Sequence, residues 1–215
     1  IALPLLAAAV KAAGYDVSIY ILKEPQDIEN IEADIYGFTV TSPEVNGFIK
    51  CAKLCDKPII IGGSHASYDL SLLKYADAIV VGEGERAIVK ALKDFERKRK
   101  MRSVYKESFI SNLDTLPIPA WDFIKRPRQI GTVVSSRGCP YGCTFCITSK
   151  LYGYKWRAMT PERIIREVIQ RKYDFVSFMD DNFTFSSERI NRFLELKKQY
   201  ALKFRWFCFS RVDTI

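Results

Sequence analysis

The sequence predicts an α/β protein with two parallel-sheet domains joined by a proline-containing linker. Short apolar runs alternate with helical patterns along most of the 215 residues, and this alternation is typical of parallel strands connected by helices. Glycine turns follow two of the apolar runs, at Gly62-Gly63 and at Gly82-Glu83-Gly84. The N-terminal half is therefore predicted to be a doubly wound parallel sheet, and the C-terminal half to be a second series of strand–helix units.

The N-terminal domain is predicted to span residues 1–98. Pro4 suits the first turn of a helix that ends at Gly14. Because the chain opens on this helix, the first strand of the fold is expected to be missing. Strands are predicted next at residues 17–22, 35–40, 58–61 and 78–81. Helices are predicted at residues 45–55 and 85–98, and a short helix at 70–75.

Small and polar residues follow the predicted strands of this domain. Open α/β sheets bind ligands at the carboxyl ends of their strands, and glycine lets the backbone approach a ligand closely. The residues expected at that edge, and therefore the candidate binding residues, are Thr41, Ser42, Gly62, Gly63, Gly82, Glu83 and Gly84.

Residues 99–129 are predicted to be the linker, since Pro117 and Pro119 favour an extended path. Residues 130–215 are predicted to form the second domain, which opens with a strand at 130–135. Its remaining elements are a helix that begins at Thr160-Pro161, a strand at 175–179, a helix that begins at Ser186 or Ser187, and a strand at 204–209.

Three of the six cysteines lie within eight positions, in the loop that follows the strand at 130–135. Cys139, Cys143 and Cys146 have the spacing C-x3-C-x2-C, and thiolates this close can converge on zinc, copper(I) or an iron–sulfur cluster. A closed zinc site takes four protein ligands, and no fourth cysteine or histidine lies nearby. Three thiolates would instead leave one iron of a [4Fe–4S] cluster open. A zinc loop and a set of unrelated thiols remain the alternatives.

This loop, with Phe145 directly before its last cysteine, resembles the signature of the radical S-adenosylmethionine (SAM) enzymes. The resemblance implies that Cys139, Cys143 and Cys146 hold a [4Fe–4S] cluster, that SAM chelates the open iron, and that Phe145 packs near the adenine. The cluster would donate an electron, and SAM would split to give a 5′-deoxyadenosyl radical. The strand–helix units are similar to the first half of the partial (β/α)6 barrel of this superfamily.

Polar residues at the ends of the next two predicted strands are the candidate SAM contacts. Asp180, Asp181 and Asn182 occupy the place where the family often has residues that touch the SAM amino group, and a carboxylate can pair with that ammonium. Ser210 and Arg211 would hold the carboxylate or the ribose. The alternatives are a capping turn for the aspartates and a surface salt bridge for Arg211. No side chain is predicted to be a catalytic acid, base or nucleophile.

The two glycine turns resemble those of the cobalamin-binding domain that precedes many radical SAM cores. Their order upstream of the cysteine loop implies that they cradle the nucleotide tail of cobalamin. The Asp-x-His-x-x-Gly motif of other cobalamin domains is absent, and His65 in the glycine turn is interpreted as a polar turn residue. Cys51 and Cys55 share one helix face and are interpreted as buried thiols.

These resemblances predict a radical SAM enzyme, and within that class a cobalamin-dependent methyltransferase. One alternative is a radical SAM enzyme of the same architecture that catalyses cyclisation or rearrangement without methyl transfer. Another is a non-catalytic iron–sulfur or zinc module that binds a partner. The expected partners are a small-molecule or peptide substrate and an electron donor such as flavodoxin or ferredoxin.

The composition fits a cytoplasmic protein with reduced thiols. No apolar run is long enough to span a bilayer, so no membrane interaction is expected. The net charge of +8 is uneven: residues 1–100 carry 13 basic and 14 acidic side chains, and residues 101–215 carry 20 and 11. Because the basic residues are scattered rather than interleaved with aromatic ones, nucleic-acid binding is not expected.

Overall fold

The computed structural model describes residues 2–123 and 130–214. The chain divides into two compact units. Among the described residues, the first unit comprises 2–109 and 119–123, and the second comprises 110–118 and 130–214. Both units are α/β, and each contains a sheet of parallel strands, as the sequence predicts.

The first unit contains a four-stranded parallel sheet in the order β1-β2-β3-β4. The strands are β1 (Tyr36–Thr39), β2 (Ile59–Gly62), β3 (Ala78–Val81) and β4 (Val104–Lys106). Successive side chains of a strand point to opposite faces, and both faces of this sheet are covered. Ile59, Ile61 and Ile79 belong to one buried cluster, and Ile60, Ala78 and Val80 belong to the other. The continuous apolar runs of β2 and β3 follow from this double burial.

Three α-helices accompany this sheet: α1 (Ala2–Ala12), α2 (Val45–Ala52) and α3 (Gly84–Lys98). Helix α3 contributes Ala87 and Ala91 to one of the buried clusters and packs against α1. Helix α2 contributes Phe48 to the other cluster. Residues 70–74, predicted as a short helix, form a 3₁₀ turn capped by the Asp69 carboxylate, which accepts from the backbone N–H of Ser71 at 3.0 Å.

Two segments of the first unit differ from the prediction. Residues 17–22, which are within the described part of the chain, are in neither a helix nor a strand, and Tyr20 and Ile21 are exposed. The alternation of apolar side chains there predicts a strand, but a strand requires a hydrogen-bonding partner. Conversely, β4 lies inside the predicted linker. Tyr105 explains its position, since this side chain is buried and donates a hydrogen bond to Asp94 of α3 at 3.0 Å.

The second unit contains a three-stranded parallel sheet in the order β5-β8-β9, together with a two-stranded antiparallel ribbon. The strands are β5 (Ile130–Val133), β6 (Ser136–Arg137), β7 (Arg157–Ala158), β8 (Phe175–Phe178) and β9 (Arg205–Cys208). The helices are α4 (Ile147–Leu151), α5 (Pro161–Arg171) and α6 (Ser187–Gln199). The predicted strands and helices of this unit are confirmed, while β6, β7 and α4 were not predicted. Helices α5 and α6 pack against each other.

The side chains that begin α5 and α6 are the predicted ones. The Thr160 hydroxyl accepts from the backbone N–H of Arg163, and the Ser186 hydroxyl accepts from that of Arg189, both at 3.2 Å. Such caps satisfy N–H groups that the first turn of a helix leaves without partners. Phe178 of β8 stacks on Phe183 with ring centroids 4.4 Å apart, and Phe193 of α6 contacts both rings.

Part of the predicted linker is bonded to the second unit. Asp114 accepts from the Thr160 backbone N–H at 2.9 Å and from the Thr160 hydroxyl at 2.7 Å. Arg157 donates to the Ile110 carbonyl at 2.6 Å, and Arg163 donates to the Leu116 carbonyl at 3.3 Å. These bonds hold residues 110–118 on α5 and β7. Residues 124–129 of the predicted linker lie outside the described residues.

Every helix in the described part of the chain is too short or too polar to span a membrane.

Candidate functional site

The cysteine loop runs from the end of β6 to the start of α4. Gly138 opens it with φ of +81°, a conformation that side chains rarely adopt. An added Cβ at Gly138 would overlap the Lys155 carbonyl oxygen, so only glycine fits here. Residues 138–146 form neither helix nor strand, as the glycines and the proline of the loop predict.

All six cysteines of the chain are free thiols. Cys139 is buried, whereas Cys143 and Cys146 are half-buried. Cys146 immediately precedes α4. Burial raises the pKa of the Cys146 thiol, but hydrogen bonds from the backbone N–H groups of Ser149 and Thr148 outweigh it, so this pKa lies below its ordinary value. Such a thiol is more readily deprotonated, and metal ligands must be thiolates.

The three thiols lie in one loop but are not gathered into a finished ligand set. Within residues 2–123 and 130–214, no three His, Cys, Asp or Glu side chains converge closely enough to hold a metal ion. The donor chemistry still fits an iron–sulfur cluster, because soft thiolates are its normal ligands. Binding such a cluster would draw the three sulfurs together and order the loop.

Arg211, a predicted SAM contact, lies against this loop. Its Nη1 group donates to the Cys143 sulfur at 3.4 Å, and its guanidinium lies 3.9 Å from the centroid of the Tyr141 ring. Asp213 accepts from Nε and from Nη2 of the same guanidinium, both at 2.9 Å. This paired hydrogen bond raises the pKa of Arg211 and lowers that of Asp213. Sequence reasoning did not single out Tyr141 or Asp213, although Asp213 stands two positions from Arg211.

The three polar residues after β8 have different surroundings. Asp181 is exposed and accepts from the backbone N–H of Gly138 at 3.2 Å, so it lies at the entrance to the cysteine loop. Asn182 is buried, and its Oδ1 accepts from the Arg211 backbone N–H at 3.4 Å and from the Thr214 hydroxyl at 3.1 Å. Of the three, Asp181 is therefore the exposed residue beside the loop.

Asp180 belongs to a buried polar network. It accepts from the Ser135 hydroxyl at 2.6 Å and from the Ser136 backbone N–H. Arg189 of α6 donates to the Ser135 hydroxyl at 2.6 Å and to the Met159 carbonyl at 3.0 Å. Burial raises the pKa of the Asp180 carboxyl, while these hydrogen bonds and Arg189 act in the opposite sense. The network fixes the residues that lead into the cysteine loop.

Phe145 and Ser210 complete the predicted SAM contacts. The Phe145 side chain is 91% exposed, which leaves its ring free to pack on a ligand. Ser210 accepts from the Thr184 hydroxyl at 2.9 Å. Thr184 links Ser210 to Thr214, with 2.8 Å between the Thr184 and Thr214 oxygens, and Thr214 in turn contacts Asn182.

The glycine turns of the first unit lie at the carboxyl ends of β2 and β3. Gly63 has φ of +105°, and an added Cβ would approach the Val40 carbonyl oxygen to 2.8 Å. Gly82 has φ of +82°. Ser67 joins the two turns, since its hydroxyl donates to the Gly63 carbonyl at 2.8 Å and accepts from the Gly82 backbone N–H at 3.0 Å.

The other predicted residues of this edge have structural partners or are buried. Thr41 caps a 3₁₀ turn, and its hydroxyl donates to Glu44 at 2.7 Å. Gly62 would place a Cβ in ordinary contact with Val80, whereas at Gly84 a Cβ would press on Leu6. Glu83 is buried. The Ser42 hydroxyl lies 3.0 Å from His65 Nδ1, which fits a turn role for His65.

Cys51 is buried, as the sequence predicts, whereas Cys55 is half-buried. The Cys55 thiol donates to the Cys51 carbonyl at 3.3 Å. Burial raises the pKa of both thiols, that of Cys55 to about 11. A raised pKa makes each thiol harder to deprotonate, and metal ligands are thiolates.

The family model of the radical SAM superfamily matches residues 133–213. Among similar proteins is an uncharacterized methyltransferase, PH0819, from Pyrococcus horikoshii, which is 29% identical over 87% of this chain and 48% of its own length. A bacteriochlorophyllide d C-12(1)-methyltransferase from Chlorobaculum tepidum is 32% identical over 72% of this chain and 36% of its own. The chain thus spans between about a third and a half of these relatives.

A solved structure with a similar fold is the radical S-adenosylmethionine methyltransferase TsrM from Kitasatospora setae, determined with a tryptophan substrate and a SAM analogue. The TM-score is 0.70 over 95% of this chain and 50% of that one. At 14% identity, this likeness concerns the fold alone.

Proposed function

Since the chain belongs to the radical SAM superfamily, we propose that it is part of a cobalamin-dependent radical SAM methyltransferase. The observation that carries the proposal is the loop of three free thiols, which Asp181 and Arg211 reach from the ends of the next two strands. Two of the similar proteins are named as methyltransferases, which supports the reaction class.

Cys139, Cys143 and Cys146 would hold the [4Fe–4S] cluster. When bound, the cluster would supply the electron that cleaves SAM. The lowered pKa of the Cys146 thiol and the Arg211 hydrogen bond to Cys143 support thiolate ligands here. The protein's own part is to orient these sulfurs, and the buried network of Asp180, Ser135 and Arg189 fixes the chain that leads into the loop.

Asp181 would accept a hydrogen bond from the SAM ammonium, since this exposed residue has its carboxylate at the entrance to the loop. Phe145 would pack on the adenine. Asp180 and Asn182 would not touch SAM themselves, because both are buried. They are bonded to the segments that carry the loop and Arg211 and would hold these segments in position. Ser210 would shape the same polar pocket through Thr184. The three parallel strands β5, β8 and β9 would be the first strands of a partial (β/α)6 barrel.

Cobalamin would bind at the carboxyl edge of β1–β3 in the first unit. The left-handed glycines Gly63 and Gly82, joined by Ser67, support a turn whose backbone approaches a ligand. When bound, cobalamin would carry the methyl group. His65 Nδ1 lies 3.0 Å from the Ser42 hydroxyl in the turn after β1, and this side-chain contact supports a site where no histidine ligates cobalt. A small-molecule or peptide substrate and a flavodoxin- or ferredoxin-type electron donor complete the proposal, in a cytoplasmic setting.

SAM cleavage tests the proposal directly. We expect the chain, reconstituted anaerobically with iron and sulfide and reduced with dithionite, to convert SAM into 5′-deoxyadenosine and methionine. Liquid chromatography of the quenched reaction measures both products, and the C143A variant is the control that should form neither. A cluster-loaded chain that binds SAM but never cleaves it would favour the non-catalytic partner-binding alternative. Turnover of SAM without methyl transfer to any acceptor would favour cyclisation or rearrangement.

Replacing Gly63 by alanine should abolish cobalamin binding. The left-handed φ and the close approach to Val40 leave no room for a Cβ, so the turn must move. Absorbance of hydroxocobalamin that co-elutes with the chain on gel filtration measures binding. Gly37→Ala is the matched control, because a Cβ at Gly37 meets nothing within 4 Å. Binding by G63A at the wild-type level would contradict the assignment of the glycine edge to cobalamin.

A further inference from the structure

One side of the Arg211 guanidinium faces a cysteine of the loop. Asp213 accepts from Nε and from Nη2, both at 2.9 Å, and this leaves Nη1 directed at the Cys143 sulfur, 3.4 Å away. The guanidinium plane lies on Tyr141, 3.9 Å from the ring centroid. The three contacts use different parts of one rigid, planar group.

The backbone of Arg211 is fixed as well. Its N–H donates to Asn182 at 3.4 Å, and its carbonyl accepts from the Thr214 backbone N–H at 3.1 Å. Because backbone and side chain are both held, the guanidinium already lies against Cys143 before the loop takes up a cluster.

We propose that Arg211 is a positioning residue that stabilises the reduced form of the cluster through Cys143. This inference rests on the proposed function, since it requires that Cys143 be a cluster ligand. Uptake of one electron from a reductant makes the cluster and its thiolates more negative. A cation and an N–H donor held against one ligand sulfur favour that more negative state, and hydrogen bonds to ligand sulfurs are known to set cluster potentials.

Asp213 limits this effect but does not cancel it. Its carboxylate pairs with the Nε and Nη2 edge of the guanidinium and therefore lies on the side away from the Cys143 contact. The Arg211 side chain is 36% exposed, so solvent screens part of its charge. Arg211 thus adjusts the reduction potential of the cluster, and Asp213 holds its guanidinium in position.

The midpoint potential of the cluster is the test. In R211M, which removes the cation and the donor, we expect the equilibrium constant for one-electron reduction to fall about tenfold, a shift of about 59 mV to more negative potential. R211K, which keeps the charge without the planar fork, should lie between R211M and wild type. A dithionite titration followed by electron paramagnetic resonance measures the potential, and iron content confirms equal loading.

D213N provides a second variant with the opposite sign. It keeps the Arg211 cation and removes the offsetting carboxylate, so the potential should rise. If R211M fails to load four irons, D213N alone decides, and an unchanged potential in D213N overturns the inference.

Two further results separate this inference from the proposed function. A wild-type chain that takes up no cluster overturns both together. A loaded R211M with wild-type potential but weakened SAM binding overturns only the tuning role, and would assign Arg211 to the SAM carboxylate instead.

Discussion

Replacing Cys139, Cys143 or Cys146 by alanine should remove essentially all cluster iron from the chain. Wild type, reconstituted anaerobically, should hold about four irons and four sulfides, as expected for a cubane cluster. Within the described residues no three His, Cys, Asp or Glu side chains converge closely enough to hold a metal ion, so a lost thiolate has no ready substitute. Iron and sulfide assays, with the visible absorbance of the cluster, measure the loss.

Cys51 and Cys55 supply the matched control for this experiment. Both thiols are in the first unit, away from the loop in sequence, and burial raises the pKa of each. C51A and C55A should therefore load iron as wild type does. One tightly held zinc per chain, with no iron or sulfide, would contradict the cluster assignment and favour the zinc-loop alternative.

The strands predicted best from the sequence are those that are buried on both faces and therefore consist of continuous apolar runs. β2 and β3 are covered on both faces, so every residue of these strands is apolar or small. Residues 17–22 show the opposite case, because their alternation favours a strand while Ile21 remains 72% exposed. β4 was missed since it has three residues and follows a basic run, and its pairing with β3 is a tertiary interaction.

Only the part of the candidate site that depends on spacing between neighbouring residues could be predicted from the sequence. Three cysteines in eight residues identify the loop without a structure. The contacts that surround it join residues far apart in the sequence, such as Arg189 with Ser135 and Arg211 with Cys143, which are separated by 54 and 68 positions. No periodicity encodes such pairs. The sequence signal available for the network around Asp180 was an arginine in the first turn of α6. A residue at that position is expected to be a polar surface side chain, so the signal was easily missed.

A buried ion pair on α5 should make the second unit sensitive to a single substitution. Arg163 and Glu167 lie one turn apart, 3.1 Å between Nη1 and Oε2, with side chains only 5% and 1% exposed. Arg163 also donates to the Leu116 carbonyl and so helps to hold residues 110–118. Removing one partner of such a pair strands a buried charge, which typically costs about 3–5 kcal/mol of the free energy of unfolding.

We therefore expect R163M to lose about 3–5 kcal/mol at neutral pH, measured by urea denaturation. The double variant R163M/E167Q should recover much of this loss, because it leaves no buried charge behind. Recovery close to zero would show that Arg163 acts mainly through Leu116 or through packing.

The pH dependence of R163M provides an independent check on the same charge. Burial raises the pKa of the Glu167 carboxyl, and Arg163 pulls it back down, so R163M should raise this pKa further. A raised folded-state pKa means that the stability contributed by the protonated group is present below its ordinary value of about 4.3 and is lost as pH rises through the folded value. The deficit of R163M relative to wild type should accordingly shrink as pH falls from 7 towards about 4, while R163M/E167Q should show no such trend. A deficit that stays constant across this range would mean that Glu167 is not the charge left uncompensated.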